Sequence, residues 1–240
     1  METKQRVRVG IPTLRCYDKL IRLCNHLLND SHPCIEAEIL ILDNGGKMKD
    51  SSAVDALAET CDLSRWKVMV PPYNLGVPKS WNHLLNMLGQ CIISNDDTVF
   101  GLSDIACFLE AAKASPDTVL FETSHPIGGF STFYANRPEI WLAMGGFDEL
   151  LSPAYFEDND CRWRLKQAGM PVVPVELLSW RHDNSSTLVS GDDDYKRMHW
   201  CCFERNKAYY QAKWGGLPGQ EQFISPFCKT TWHTPNSSAS

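Results

Sequence analysis

Ile39-Leu40-Ile41-Leu42-Asp43-Asn44 sets four aliphatic residues, without alternation, directly before a carboxylate and an amide. The arrangement returns in Cys91-Ile92-Ile93-Ser94-Asn95-Asp96-Asp97. An unbroken apolar run of this length reads as a strand buried on both faces, as in the middle of a parallel sheet covered by helices. Acidic residues at the ends of such strands make poor core. In open α/β sheets the carboxyl ends of the strands open onto the crevice where ligands bind.

Outward from these two strands, residues 7–11 predict a first strand, and Leu20, Ile21, Cys24, Leu27 and Leu28 give residues 17–28 a helical spacing. The unit repeats as strand 39–42 with a polar helix 52–60, strand 66–70 with helix 80–88, and strand 91–94 with helix 102–114. Such alternation specifies an α/β fold with a Rossmann-like, mostly parallel central sheet flanked by helices. After a strand at 119–123 the pattern changes to strand 131–135 and a short helix opened by Pro138 and closed by Gly145-Gly146. Helix 157–167, strand-like segments 171–175 and 177–180, and an amphipathic helix 193–214 follow. The expectation is a single domain over residues 1–215. Residues 216–240, rich in Pro, Ser, Thr and Gly, are expected to be a loosely ordered tail in which Phe223, Phe227 and Trp232 are able to dock.

With 240 residues, 43% of them hydrophobic, the chain can bury one substantial core without division. A net charge of -6 removes any general attraction to nucleic acid or anionic membrane. The polar start Met1-Glu2-Thr3-Lys4-Gln5-Arg6 lacks the apolar stretch of a signal peptide or spanning helix, so the expectation is a cytoplasmic protein without a transmembrane segment. Ten cysteines include Cys24, Cys91 and Cys107 inside apolar periodic stretches, and no CxxC pair occurs; they read as reduced thiols, not as a disulfide framework or a zinc clamp.

The acidic clusters carry the chemistry. Asp43 either accepts a hydrogen bond from a base or ribose group or forms an Asx turn with Asn44-Gly45-Gly46. Pro12, Thr13 and Arg15 follow the first strand and suit a nucleoside pocket, or else turn the chain and cap the next helix. Asn74 and Gly76 lie where backbone approaches a ligand, in a loop that a Ser80 helix cap explains equally well. Asn95-Asp96-Asp97 is the metal candidate, because a nucleoside diphosphate leaves poorly unless a divalent ion neutralises its charge, and hard oxygen ligands favour Mn2+ or Mg2+. Surface aspartates capping the next helix are the alternative. Glu157-Asp158-Asn159-Asp160 opens a helix whose dipole it stabilises, and one of its carboxylates is placed to take a proton from an incoming hydroxyl, with Arg162 and Arg164 to hold it ionised. His182 is a further ligand candidate that would complete the shell begun by Asp97. The whole reads as a nucleotide-sugar site with a metal and a base.

These segments together resemble the inverting glycosyltransferases of family 2, which have the GT-A fold. The resemblance rests on Val9-Gly10-Ile11-Pro12-Thr13, Ile41-Leu42-Asp43-Asn44, Asn74-Leu75-Gly76, Ser94-Asn95-Asp96-Asp97, Gly145-Gly146-Phe147-Asp148-Glu149 and Phe156-Glu157-Asp158-Asn159-Asp160, with Arg164 and Gly169. It implies nucleoside binding by Pro12, Thr13, Asp43 and Asn74, supported by Arg15, Asn44, Gly76, Asn95 and Asp96. It further implies Asp97 and His182 as metal ligands and Asp158, beside Glu157, as catalytic base. Asn82, Gly145, Gly146, Asp160 and Arg164 would then shape the donor-sugar and acceptor side. Two departures are Leu14-Arg15 in place of the usual aromatic and Asn, and Asn95 in place of a frequent Asp.

The implied activity is transfer from a nucleotide sugar, UDP-linked in most of the family, to an acceptor hydroxyl by single displacement. Residues 184–194 are the candidate lid. The acceptor, whether glycan, lipid-linked glycan or modified nucleic acid, is not resolved; Lys196, Arg197, Arg205, Lys207 and Lys213 either meet a phosphate-bearing acceptor or form a solvated helix face. Two alternatives are a non-catalytic sugar-nucleotide or glycan-binding module and a sugar-nucleotide nucleotidyltransferase. The latter expects a Gly-rich basic loop after the first strand, and residues 12–18 contain no glycine.

Overall fold

The computed structural model describes residues 3–49, 52–124, 129–183 and 191–228. Strands β1 (Gln5–Thr13), β2 (Ile35–Asp43), β3 (Trp66–Met69), β4 (Cys91–Ser94), β6 (Leu120–Thr123), β7 (Gly129–Ala135) and β8 (Val173–Val175) form one sheet in the order β3-β2-β1-β4-β7-β6-β8. Only β7 runs antiparallel to its neighbours β4 and β6. The apolar runs behave as the sequence implies. In β2, Ile39 and Ile41 enter a core with Leu20, Leu23 and Leu27 of α1 (Tyr17–Asn29), while Leu40 and Leu42 enter a second core with Trp81 and Leu84 of α3 (Gly76–Leu88). Helices α2 (Ser52–Thr60) and α4 (Leu102–Ala114) join the first face; α5 (Pro138–Ala143) and α6 (Glu157–Gln167) join the second. Burial of successive residues on opposite faces is what removes the alternation from these strands.

Two elements differ from expectation. Helix α3 begins at Gly76, four residues early, because Pro78 sits in the first turn, where a missing N–H costs nothing. Ser80 is therefore not a cap, and its hydroxyl donates to the Gly76 carbonyl at 2.5 Å. Residues 177–180 are not a strand; the two-residue β9 (Arg181–His182) follows instead, antiparallel to β5 (Thr98–Val99).

What holds residues 177–180 is Asp104, fully buried, which accepts from Leu178 N at 2.6 Å, Ser179 N at 2.9 Å, Ser179 Oγ at 2.6 Å and Gly101 N at 2.9 Å. The carboxylate trades the expected ladder for a side-chain clamp just upstream of His182. Asp104→Ala is expected to lower unfolding stability by at least about 2 kcal/mol, since it strands several buried donors, and denaturant melts would measure it. A loss below about 0.5 kcal/mol would show that water replaces the clamp.

The last helix, α7 (Asp193–Trp214), packs Tyr210 and Trp214 against Leu151 and Phe156. Residues 216–228, the start of the expected tail, fold back on it: Gln222 N and Phe223 N donate to Trp214 O at 2.9 and 3.0 Å, and Phe227 N to Lys213 O at 2.8 Å. Trp232 lies outside the described residues, as does 184–190 of the candidate lid. The basic residues of α7 are largely engaged: Arg197 with Asp194, Lys207 with Glu204, Arg205 with the Ser152 carbonyl, and Lys213 buried. No disulfide is present among the described residues, and none of their helices is long and apolar enough to cross a membrane.

Candidate active site

From β1 the chain moves to β2 and β3 on one side, then returns to β4 on the other. The topological switch point, where flanking loops diverge and leave a crevice, therefore lies between the carboxyl ends of β1 and β4. Thr13 ends β1 and Asn95-Asp96-Asp97 follows β4. The two ends meet: Thr13 Oγ1 donates to Asp96 Oδ2 at 2.7 Å. Burial pushes the Asp96 carboxyl up to about 7 despite that hydrogen bond.

A cleft of about 290 Å³ opens here, lined by Pro12, Thr13, Asn44, Asn74 and Gly76 together with Asn95, Asp96, Asp97 and His182. Tyr155, Tyr195 and His199 also line it. Asn44 is held by both amide atoms, donating to Ser80 Oγ at 2.9 Å and accepting from Leu75 N at 2.9 Å. Asn74 Oδ1 accepts from Gly76 N at 2.9 Å. Gly76 has φ of +74°, and a Cβ there would come within 2.9 Å of Pro153 Cα, so only glycine lets this loop approach the opposite wall.

Asp43 and Arg15 are not among the cleft-lining residues. Asp43 is fully buried and accepts from Tyr17 OH at 2.5 Å, from Gly45 N and Gly46 N at 3.0 Å each, and from Met48 N at 2.8 Å. Of the two roles open to it from sequence, the turn is the one this geometry builds. Its carboxylate supports the loop that carries Asn44. The Arg15 guanidinium carbon lies 4.3 Å from the centre of the Tyr195 ring, a cation–π strut between the loop after β1 and α7.

Asp97 and His182, 85 residues apart in sequence, are joined by the small β5–β9 ribbon, in which Thr98 pairs with His182. His182 Nε2 lies 3.0 Å from Asp97 Oδ1, and Asp183 N donates to the Asp97 carbonyl at 2.8 Å. Among the described residues no group of three or more His, Cys, Asp or Glu side chains converges as a metal cage. One carboxylate oxygen and one imidazole nitrogen would fit as two ligands of a Mn2+ or Mg2+ ion that took its others from phosphate oxygens and water.

A second compartment of about 510 Å³ shares Val77, Asn95, Ala154, Tyr155 and His182 with the first. Glu157 and Asp158 line it at the start of α6, together with Trp81, Phe130 and Ser131. Tyr155 and Phe156 enter that helix with φ of 83° and 70°. Left-handed backbone at two bulky residues is costly and is stored here beside the acidic pair. Asp158 Oδ2 accepts from Arg162 Nη1 at 3.0 Å, and Arg162 also pairs with Glu122 and covers the Phe130 ring at 4.8 Å. Glu157 has no such cation. Burial, and then the neighbouring Asp158, push its carboxyl well above the usual range.

No family model and no curated protein matches the chain by sequence. Solved structures do match. The mannosyltransferase PcManGT from Pyrobaculum calidifontis, in complex with GDP-Man and Mn2+, superimposes with a TM-score of 0.58 at 16% identity, over 72% of this chain and 55% of that one. GalNAc-T7 with UDP, GalNAc and Mn2+ superimposes with a TM-score of 0.59 at 13% identity, over 87% of this chain and 50% of that one. The chain has the GT-A fold. It spans about half the length of each of these two structures.

Five residues expected on the donor-sugar and acceptor side lie outside both compartments. Asp160 follows Asp158 by two positions, about 200° around the helix, so the two carboxylates project to different sides. Asp160 is fully buried, 2.6 Å from Lys213 Nζ and accepting from Trp214 Nε1 at 2.8 Å. Asn82 exchanges hydrogen bonds with Phe147 N and O at 2.8 Å each, and a Cβ on Gly146 (φ +63°) would sit 2.6 Å from Asn82 Oδ1. Arg164 donates to the carbonyls of Met144 and Gly146. Asn82, Gly145 and Arg164 border a separate hollow with Asp148 and Lys213. These residues join α3, α6 and α7 outside both compartments. Conversely Trp81, Ser131, Tyr155, Tyr195 and His199 line the compartments and were not selected from sequence; single aromatic and hydroxyl residues carry no local mark that separates cavity lining from core or surface.

Proposed function

We propose that this chain is an inverting, metal-dependent glycosyltransferase that moves a sugar from a UDP-linked donor to an acceptor hydroxyl by single displacement. The observation that carries this reading is the junction of the two compartments: Asn95 and His182 line both, with Asp97 on the first side and Asp158 on the second. In this reading Thr13, Asn44, Asn74 and Asp96 face the nucleoside, and Asp97 and His182 hold the ion beside the diphosphate. The ion, when bound, supplies Lewis-acid stabilisation of the charge developing on the leaving diphosphate. Asp158 accepts the proton of the acceptor hydroxyl as its oxygen attacks the anomeric carbon from the face opposite the diphosphate. The new glycosidic C–O bond forms while the C–O bond to phosphate breaks, and configuration inverts. Arg162 orients Asp158 through their ion pair, whereas Glu157, buried and without a cation, is unsuited to be the base.

Thermal unfolding with UDP or GDP, and with Mn2+ or chelator, tests the donor site. Wild type is expected to gain about 2.7 kcal/mol at a nucleotide concentration of about 100 Kd with metal present. Asp97→Ala is expected to lose the metal-dependent part of that gain. A GDP-selective shift would change the donor class, since PcManGT is the neighbour solved with GDP-Man. No shift with any nucleotide in a folded protein would overturn the reading.

A further inference from the structure

Strand β6 carries a carboxylate where packing calls for an apolar side chain. Leu120 of β6 and Phe133 of β7 belong to the second core, and Glu122 lies two residues beyond Leu120 and opposite Phe133 in register. It therefore shares the face of the sheet that α6 covers with Cys161 and Leu165. Its side chain is 14% exposed. A carboxylate withdrawn from water costs stability unless a partner compensates, and an apolar residue of similar volume carries no such cost.

Among the described residues the hydrogen bonds to Glu122 come from one side chain, Arg162, which sits one turn after Asp158 on α6. Arg162 Nη2 donates to Glu122 Oε2 at 2.5 Å, and Arg162 Nε lies 3.2 Å from each carboxylate oxygen. Two donors on one edge of a guanidinium, gripping one carboxylate, fix its plane as a single contact would not. The Phe130 ring, 4.8 Å from the guanidinium carbon, limits its tilt. The direction of Nη1 is then set, and Nη1 donates to Asp158 Oδ2 at 3.0 Å. Asp158 Oδ1 accepts from the adjacent Asn159 N at 2.8 Å, so the orientation of the other oxygen depends on Arg162. Without the grip of Glu122 that orientation would be left to a long, rotatable side chain.

We infer that Glu122, which lines neither compartment, is a positioning residue for glycosyl transfer: through Arg162 it fixes the direction in which Asp158 presents its carboxylate to the acceptor hydroxyl. This rests on the reading of Asp158 as the base. A pair that only tied β6 to α6 would act on stability and not on the chemistry of Asp158. The two roles differ in the effect of Glu122 once the Asp158 carboxylate is gone.

Release of nucleoside diphosphate from UDP-glucose, UDP-N-acetylglucosamine and GDP-mannose with Mn2+, water serving as acceptor, tests the assignment. In that reaction a water oxygen attacks the anomeric carbon, its proton passes to Asp158, and the C–O bond to the diphosphate breaks. With the sugar nucleotide turned over fastest, Glu122→Leu is expected to lower kcat about ten- to a hundredfold, as for a catalytic group misplaced by up to about 1 Å. Because Glu122 touches neither compartment, KM and the Kd for nucleoside diphosphate should stay unchanged. Glu122→Gln keeps one acceptor for the guanidinium edge and should recover most of the loss. In an Asp158→Asn background, read with enzyme in excess, Glu122→Leu should cost no further rate, since residues that act as a unit are not additive. Unchanged kcat in Glu122→Leu, or the same fold loss in the Asp158→Asn background as in wild type, overturns the inference and leaves Asp158 as the base. If Glu122→Leu does not fold, Arg162→Lys, which keeps the charge and loses the two-donor edge, gives the same comparison: a loss of kcat that is absent in the Asp158→Asn background. Wild type that releases no nucleoside diphosphate from any of the three, or Asp158→Asn with full activity, overturns the base reading and the inference with it.

Discussion

Asp158→Asn is expected to lower sugar transfer by about 10²- to 10⁴-fold, the range associated with losing a positioned general base. The amide keeps the shape of the side chain, so nucleoside diphosphate affinity should remain within about twofold of wild type. The prediction is sharp because the two neighbouring carboxyls have different surroundings. Asp158 is paired with Arg162, whereas the Glu157 carboxyl is pushed up by burial and has an unmet oxygen. Single-turnover transfer with the best-binding sugar nucleotide measures it. Full activity in Asp158→Asn would remove this residue from the chemistry, and with it the case for single displacement through this carboxylate.

The largest effect on stability is expected from Lys213→Met. Lys213 Nζ lies 2.6 Å from Asp148 Oδ2 and 2.6 Å from Asp160 Oδ1, with its side chain 7% exposed and those of the aspartates 14% and 0%. Removing the ammonium leaves two carboxylates buried without their shared cation, which costs about 3–5 kcal/mol. For a chain of this size that is a fall in Tm of roughly 6–20 °C. Calorimetric melts read it directly, and a fall below about 2 °C would mean the joint between α6 and α7 does not depend on this ion network.

The same joint sets an acid limit. Burial alone would push the Asp148 carboxyl up, but hydrogen bonds from Lys213 and Tyr209 hold it below its ordinary value. A carboxyl depressed on folding contributes stability above the ordinary range near about 4 and loses it as pH falls through the folded value. Wild type should therefore lose stability below pH about 4, and Lys213→Met should show a shallower loss over that interval.

The apolar runs Ile39-Leu40-Ile41-Leu42 and Cys91-Ile92-Ile93 determined the central strands by themselves, because burial on both faces leaves a local signature, loss of alternation, that any window of sequence carries. The helices α1 and α4 were equally legible from their periodicity. From the alternation of these elements followed the parallel sheet, the crevice at its carboxyl edge, and the placement of Thr13 and Asn95-Asp96-Asp97 on that crevice.

Tertiary structure alone decided which acidic and polar side chains face the crevice and which are spent on the scaffold. Asp43 closes a turn with Tyr17 and three backbone N–H groups, Asp104 clamps residues 177–180, and Asp160 meets Lys213 and Trp214. Asp158 meets Arg162 at the edge of a compartment. In sequence these are all aspartates near the ends of elements. Their partners come from segments far along the chain, and a carboxylate's role follows from whichever cation or donor the fold delivers to it. The pairing of Asp97 with His182, 85 residues apart, has the same origin: the β5–β9 ribbon is only two residues long, too short to leave a pattern, and only the closed fold brings its strands together.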